Sequence, residues 1–418
     1  MKTLKWIAAQ SKSHIPAVIA VILLGSALSL CSVGIAVISK NLIDAATVSK
    51  GHRIAETILV FILLILAMIG MQAGSSTLST RTLEALSNHM RQKLFRNLAK
   101  TEWQELSRFH SGDVLTRMTS DVGTVAGGIV NVMPGMISLG VRLISAFSTL
   151  MVFDRSLAFL AFVLGPVSIL ISRFFAGKLK SLYKKIQEAE STYRSFMQEC
   201  LQNILVVKAF KLEDSYVRQI SNLQNERLRW VMRRNRLSVL NNSVLSLGYW
   251  AGYFLAFCWG ALRLSAGTAT FGVLTAFFQL VNQVQSPFIG LAYTFPQLIS
   301  TVASAERLMI LDSLQREMIA APSPQWTSAG VSFDQVSFAY EQEKPVLLNA
   351  SFDICPGEIA AIVGPSGEGK TTVVRLLLSL IKPDAGKIRF FNRLQEEHGA
   401  DPSSRSLISY VPQGNTLF

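Results

Sequence analysis

The sequence predicts a multi-domain chain: an all-α bundle of six transmembrane helices with long cytoplasmic helical extensions, followed by an incomplete α/β domain. Three observations predict it. Half of the 418 residues are hydrophobic and only 16% are charged, whereas a soluble domain carries about 25% charged residues. The apolar residues are gathered into blocks, several of which reach the roughly 20 residues that cross a bilayer as a helix. After the last block come short alternating runs and a glycine-rich stretch ending Gly369-Lys370-Thr371. Intrinsic disorder, a collagen-like fibre and a small disulfide-stapled scaffold are excluded.

The first block follows Lys2, Lys5 and Lys12 and runs from Pro16 to about Ile38. It is long enough to span, lacks an A-x-A cleavage site and is followed by similar blocks, so it reads as an uncleaved first span. Spans are predicted at about 16–39, 56–77, 127–153, 156–176, 241–263 and 271–298. Only the Asp154-Arg155 neighbourhood separates the third from the fourth, which predicts a tight hairpin on the outer side. The net charge of +13 is located by counting Lys and Arg. Segments 78–126 and 173–236 carry twenty-one between them, and the opposite side carries five. This bias puts both long connections and both termini in the cytoplasm, and accounts for the charge without a nucleic-acid partner.

Segments 80–100 and 178–230 read as helix from their Leu, Glu, Gln, Lys and Arg content and three-to-four spacing. Segment 104–122 breaks at Ser111-Gly112, after which Asp113, Arg117 and Asp121 follow at i, i+4 and i+8, a helix start with a charge-paired face. It is either a solvated hairpin or an element touching a cytoplasmic partner. Pro134, Pro166, Pro287 and Pro296 lie inside predicted spans, where they demand kinks. Gln279, Asn282, Gln283 and Ser286 share one face of the last span, with Gln297 further on. Amides are costly against lipid, so this face either joins helices or lines a substrate cavity. Arg142 in the third span either snorkels outwards or contacts substrate. Tyr249, Trp250, Tyr253 and Trp259 are interfacial or pocket-lining. Cys31, Cys200, Cys258 and Cys355 form no C-x-x-C pair and read as ordinary buried small residues.

Composition changes near 320. Residues 1–320 form the membrane domain, 321–330 a Pro- and Ser-containing linker, and 331–418 the α/β portion. Residues 331–340 and 346–354 alternate as strands. Ile359–Val363 is an apolar strand, and Gly364, Pro365, Ser366, Gly367, Glu368, Gly369, Lys370 and Thr371 complete the G-x-x-x-x-G-K-[ST] pattern of a P-loop NTPase. An apolar helix follows from Thr372 to about Ile381. The glycines let backbone N–H groups converge on phosphate, Lys370 pairs with the β- and γ-phosphates of a nucleotide, and Thr371 ligates Mg²⁺. Tyr340 ends a strand and stacks on a base or serves as a strand aromatic. Gln413 touches Mg²⁺ or water, or is a polar turn residue.

With these motifs the whole chain resembles an ATP-binding cassette (ABC) exporter half-transporter, with six membrane helices ahead of an ATP-binding domain. GPSGEGKT (364–371) resembles its Walker A motif, Tyr340 its adenine-stacking A-loop aromatic, and Gln413 in YVPQ its Q-loop. SGDVLTRMTSDV (111–122), ILVVKAFKLED (204–214) and Ser304-Ala-Glu-Arg307 are similar to its intracellular loops and the close of its sixth helix. The resemblance implies ATP with Mg²⁺, a homo- or heterodimer of half-transporters, coupling roles for both loops, and ATP-driven export of an unidentified substrate across a bacterial plasma membrane. Phe391-Asn392-Arg393 replaces the Asp-Gly turn common in the family. The sequence stops five residues after Gln413, and the signature motif, Walker B Asp and catalytic Glu are not in it. The expectation is that this polypeptide alone binds ATP weakly and hydrolyses it poorly. The alternative reading is a non-hydrolysing or inactive truncated subunit that binds nucleotide and pairs with a full-length partner.

Overall fold

The computed structural model describes residues 2–47, 54–317, 322, 324–341, 344–365 and 367–411. They pack as two units. A helical unit comprises Ser11–Glu84 and Gly127–Ser300, and a mixed unit comprises Met1–Gln10, Ala85–Ala126 and Thr301–Phe418. The helices in chain order are α1 (Lys2–Ser11), α2 (Ile15–Thr47), α3 (Ile54–Leu98), α4 (Trp103–Leu106), α5 (Ser111–Thr116), α6 (Val122–Gly127), α7 (Met133–Phe153), α8 (Arg155–Gln202), α9 (Ile204–Ala209), α10 (Glu213–Ser265) and α11 (Phe271–Asp312).

Among the described residues, five helical stretches are long and apolar enough to cross a membrane: Lys2–Thr47, Ile54–Leu98, Ser111–Phe153, Glu213–Ser265 and Phe271–Asp312. They contain five of the six predicted spans. The fourth, 156–176, falls in α8, where the apolar stretch is the shorter Arg155–Val167. The helices outrun any bilayer: α3, α8 and α10 have 45, 48 and 53 residues, roughly 65–80 Å at 1.5 Å per residue. That is twice the ~30 Å hydrocarbon core.

One residue, Asp154, separates α7 from α8. Its carboxylate accepts the Leu157 N–H at 3.1 Å and so caps α8. It also accepts Trp259 Nε1 at 3.4 Å and pairs with Arg263 at 3.3 Å. The hairpin expected from sequence is there. The helical unit packs through Ala36, Ala146, Ala158, Ala161 and Ala256 with Leu150, Leu157, Phe277, Leu280 and Phe288. Small residues let backbones approach where no hydrophobic force drives helices together in lipid. Gly165 and Gly260 show this: a β-carbon there would run into the Phe288 ring or the Leu274 side chain, respectively.

Segment 178–230 is not one helix. Asn203 ends α8, with its Nδ2 donating to the Glu199 carbonyl at 3.1 Å, and Lys211 at φ 52° ends the short α9. A positive φ cannot continue a right-handed helix, so the chain turns and α10 returns along α8, with Phe196 stacked on Tyr216 at 5.4 Å. Pattern and composition concealed these two breaks because neither carries Gly or Pro.

In the mixed unit, strands β1 (Gly330–Glu341), β2 (Lys344–Ile354), β3 (Ala385–Phe391) and β4 (Glu397–Gly399) form an antiparallel sheet in the order β2-β1-β3-β4. Helix α12 (Lys370–Leu377) packs on it through Leu376, against Val336, Phe338 and Ile388. The unusual Phe391-Asn392-Arg393 turn is built by Asn392, whose Oδ1 accepts the N–H groups of Leu394 and Glu396 at 2.9 and 3.0 Å.

Three expectations need correction. Ile359–Val363 is not a strand: no described segment pairs with it, and Ile359 and Val363 are 97% and 87% exposed. Apolar β-residues become a strand only when neighbouring backbone supplies the ladder. Helix α12 ends at Leu377 rather than near Ile381, because Ser379 takes φ 49° and the Leu380 N–H bonds the Arg375 carbonyl at 2.9 Å. This is the left-handed C-terminal closure usually given to Gly. Cys200 is buried but Cys355 is exposed, and all four cysteines are free.

Candidate functional site

The glycine-rich loop leads straight into α12. Gly367 and Gly369 have φ of +95° and +87°, in the left-handed region that glycine tolerates. Gly369 also needs to lack a side chain, since a β-carbon would sit 3.1 Å from Val346 Cγ1 and 3.3 Å from its carbonyl. The Lys370 ammonium folds back over the loop and donates to the carbonyls of Gly364, at 2.7 Å, and Pro365. A mobile cation is thereby held at the N-terminus of α12, where unpaired N–H groups already favour an anion. The Thr371 side of the helix is exposed and Thr372 is buried beneath it.

Tyr340 stands beside this loop at the end of β1. Its hydroxyl lies 3.4 Å from Thr372 Oγ1 and accepts Arg375 Nη1 at 2.9 Å, while its ring packs edge-on to Phe338. The structure therefore brings Tyr340, Lys370, Thr371 and Thr372 together with Gly364, Pro365, Gly367, Glu368 and Gly369. Ser366 and Gln413 lie outside the described residues.

The far end of α12 is tied to other parts of the mixed unit. Arg405 donates to the carbonyls of Leu378 and Ser379 at 2.7 and 3.0 Å, and grips Glu317 with two bonds of 2.8 Å. A cation at a helix C-terminus satisfies orphan carbonyls and opposes the dipole. Glu317 in turn bonds the chain after α3: its N–H reaches the Lys100 carbonyl at 2.8 Å, and the Glu102 N–H reaches the Gln315 carbonyl at 3.0 Å. Lys382 closes the group on Glu102 at 2.7 Å. A cavity of about 270 Å³ lies among Glu102, Trp103, Leu380, Lys382 and Pro402. No motif flagged Arg405 or Glu317; their roles depend on pairing across 88 residues.

A second buried ionic group joins α11 to the 111–122 stretch. Arg117 pairs with Asp113 at 2.8 Å, as the i, i+4 spacing predicted. Asp121 does not continue that ladder. It accepts Arg307 Nε at 2.8 Å, Arg307 Nη2 at 2.5 Å and Ser304 Oγ at 2.9 Å. Residues Arg117–Asp121 form a π-helical turn, which rotates Asp121 off the exposed face. Asp121 precedes the predicted third span, and hydrogen bonding by Arg307, with Ser304 and the charge of Arg117 adding to it, holds its carboxyl below the ordinary carboxylate value against the opposing effect of burial.

The amide-bearing face of α11 divides. Gln283 is buried and bonds α2, donating to the Ser32 carbonyl at 2.8 Å and accepting the Ser32 hydroxyl at 3.3 Å. Gln279 is half-buried and Asn282 is exposed. Ser286 Oγ and Arg142 Nε are buried without a partner. Gln285 was absent from the predicted face, yet it is buried, neither end of its amide has a partner, and it borders a cavity of about 520 Å³. Asn242, Tyr249, Phe288 and Tyr293 share that lining. Gln285 is three residues from Asn282 but two from Gln283 and one from Ser286, which turns it roughly 60° round the helix beyond the edge of that face.

Residues 16–288 match the family described as the ABC transporter transmembrane region, and residues 347–418 match the family described as ABC transporter. The chain belongs to the ABC transporters. Among curated relatives, it is 26% identical to the "Probable multidrug resistance ABC transporter ATP-binding/permease protein YheH" of Bacillus subtilis, over 76% of this chain and 48% of that protein. It is 26% identical to the "Fatty acid ABC transporter ATP-binding/permease protein" of Mycobacterium bovis, over 73% of this chain and 49% of that protein. With the "Uncharacterized ABC transporter ATP-binding protein YknV" of B. subtilis it shares 22% identity over 100% of this chain and 69% of that protein. The chain thus spans about half the length of the first two. The match to the ABC transporter family implies ATP binding, and the ammonium of Lys370 over Gly364 and Pro365 is of the right charge for a polyphosphate.

Proposed function

We propose that this ABC transporter chain works as a half-transporter in ATP-driven export, pairing with a second, identical or related subunit in a bacterial plasma membrane. The observation that carries the reading is the loop from Gly364 to Thr371, with Lys370 at the N-terminus of α12, in a chain with membrane-spanning helices. Loop N–H groups and Lys370 hold the β- and γ-phosphates, Thr371 and Gln413 supply oxygens for Mg²⁺, and Tyr340 offers its ring to the base. Mg²⁺ neutralises charge on the phosphates when bound. No residue of this sequence is assigned the hydrolytic carboxylate. The excess of Lys and Arg in 78–126 and 173–236 supports cytoplasmic placement of both connections and both termini.

Glu102, bonded to Lys382 and Gln315, and Trp103, which lines the adjoining cavity, support a coupling role for the first connection, because movement just beyond α12 is felt directly there. The second connection presents Leu201, Leu205 and Phe210 uncovered, which supports its contact with the partner subunit. For the cargo, the cavity bordered by Gln285 and the aromatic residues Tyr249, Phe288 and Tyr293 supports a largely apolar molecule carrying a hydrogen-bonding group. Lys370→Ala tests the central assignment. Binding of a fluorescent ATP analogue to the purified chain should fall at least tenfold; unchanged binding would remove the loop's assigned role.

A further inference from the structure

The cytoplasmic extensions of α8 and α10 carry a charge pattern that nucleotide binding and coupling leave unused. Residues 173–187 and 227–240 hold ten Lys or Arg and no Asp or Glu. A face laced with salt bridges, the ordinary fate of exposed cations on paired helices, is therefore unavailable to most of them. Nearby carboxylates engage only the outer members: Lys184 meets Glu188 at 3.8 Å, and Arg227 meets Glu190. Between the two helices runs an open groove of about 530 Å³ lined by Lys178, Arg233 and Arg236 together with Leu182, Leu237 and Leu240. No carboxylate pairs with these three cations among the described residues.

The groove's level along the helices is informative. Lys178 lies two residues beyond the predicted fourth span and Arg236 five residues before the fifth, within roughly 3–8 Å of the hydrocarbon edge at 1.5 Å per residue. Aromatic rings lie further out along the same two helices, Tyr183 roughly 10 Å and Trp230 roughly 16 Å beyond the predicted spans at 1.5 Å per residue. Trp230 lies beneath Lys185 at 4.4 Å and Arg233 at 4.8 Å, and Tyr183 beneath Arg234 at 5.2 Å. Cations and leucine side chains thus share one groove just beyond the predicted spans, with Arg233 the outermost at roughly 12 Å. A water-soluble anion would have no use for the leucines, and a zwitterionic lipid would gain little from three cations without a carboxylate partner.

We propose that this groove binds an anionic phospholipid of the cytoplasmic leaflet, its phosphate held by Lys178, Arg233 and Arg236 and its acyl chains lying on Leu182, Leu237 and Leu240. The proposal rests on the assignment of spans to α8 and α10, but not on ATP binding or export. Native mass spectrometry of the detergent-purified chain, titrated with short-chain phosphatidylglycerol or phosphatidylcholine, tests it without needing transport. Phosphatidylglycerol should bind more tightly. Each cation removed should weaken it roughly fivefold, so that the triple variant K178Q/R233Q/R236Q loses about a hundredfold. The charge-preserving K178R/R233K/R236K should retain binding, and K208Q/K211Q/R218Q, on α9, the turn after it and α10, should leave it unchanged. If the neutral triple variant does not fold, R236Q alone should show the fivefold loss. Equal affinity for the two lipids, an equal loss in the off-groove variant, or displacement by inorganic phosphate at the same concentration would each overturn the proposal. A failure of Lys370→Ala to affect nucleotide leaves this measurement untouched.

Discussion

Arg307→Ala should destabilise the protein more than Asp121→Asn, although both break the same ion pair. Asp121 is 5% exposed and receives three hydrogen bonds, two of them from Arg307 and one from Ser304. Removing Arg307 strands a buried carboxylate with one hydroxyl partner. Losses of this kind cost about 3–5 kcal/mol when the pair is fully buried. The Arg307 side chain is 48% exposed, so water can replace part of what is lost and the expected cost is about 3 kcal/mol. Asp121→Asn removes the buried charge itself and leaves an amide oxygen to accept from Ser304 or Arg307, for about 1–2 kcal/mol. The double variant should cost less than the sum, with a coupling of about 1–2 kcal/mol. Denaturation of the detergent-solubilised chain, followed by intrinsic fluorescence across the double-mutant cycle, gives all three values. Additive losses, or Asp121→Asn as the costlier change, would refute the buried-carboxylate reasoning. pH gives a second test. The carboxyl of Asp121 is held below its ordinary value, so its contribution is fully present above the ordinary carboxylate value and disappears as pH falls through the depressed one. Asp121→Asn should therefore flatten the acid limb of the stability profile.

The other predictions concern single contacts. Arg405→Ala removes the bidentate grip on Glu317 and two bonds to the end of α12; it should cost about 2–3 kcal/mol, and hydrogen exchange of α12 amides should rise accordingly. Gly165→Ala drives a methyl into the Phe288 ring; it should cost about 1–3 kcal/mol, and Phe288→Leu in the same chain should recover part of the loss in thermal denaturation. Gly369→Ala combines φ of +87° with contact on Val346; it should cost about 1–2 kcal/mol and weaken binding of a fluorescent ATP analogue, with α12 intact by circular dichroism.

Local sequence carried five of the six predicted spans, the break at Asp154, the strands around 331–354 and the phosphate loop. Each is written in local composition or in residues a few positions apart, where periodicity and side-chain chemistry act directly. Asp113 and Arg117 were legible for the same reason. Asp121 was not, because a π-helical turn moved it out of the i, i+4 register and a residue 186 positions away became its partner. The tertiary structure likewise decided that Gln283 joins two helices while Gln285 faces a cavity, that Arg405 closes the end of α12 on Glu317, and that Ile359–Val363 remains unpaired among the described residues. These outcomes depend on which distant groups arrive beside a residue. Hydrogen bonds and ion pairs are short-ranged, so no local pattern can announce a partner that only folding brings within 3 Å.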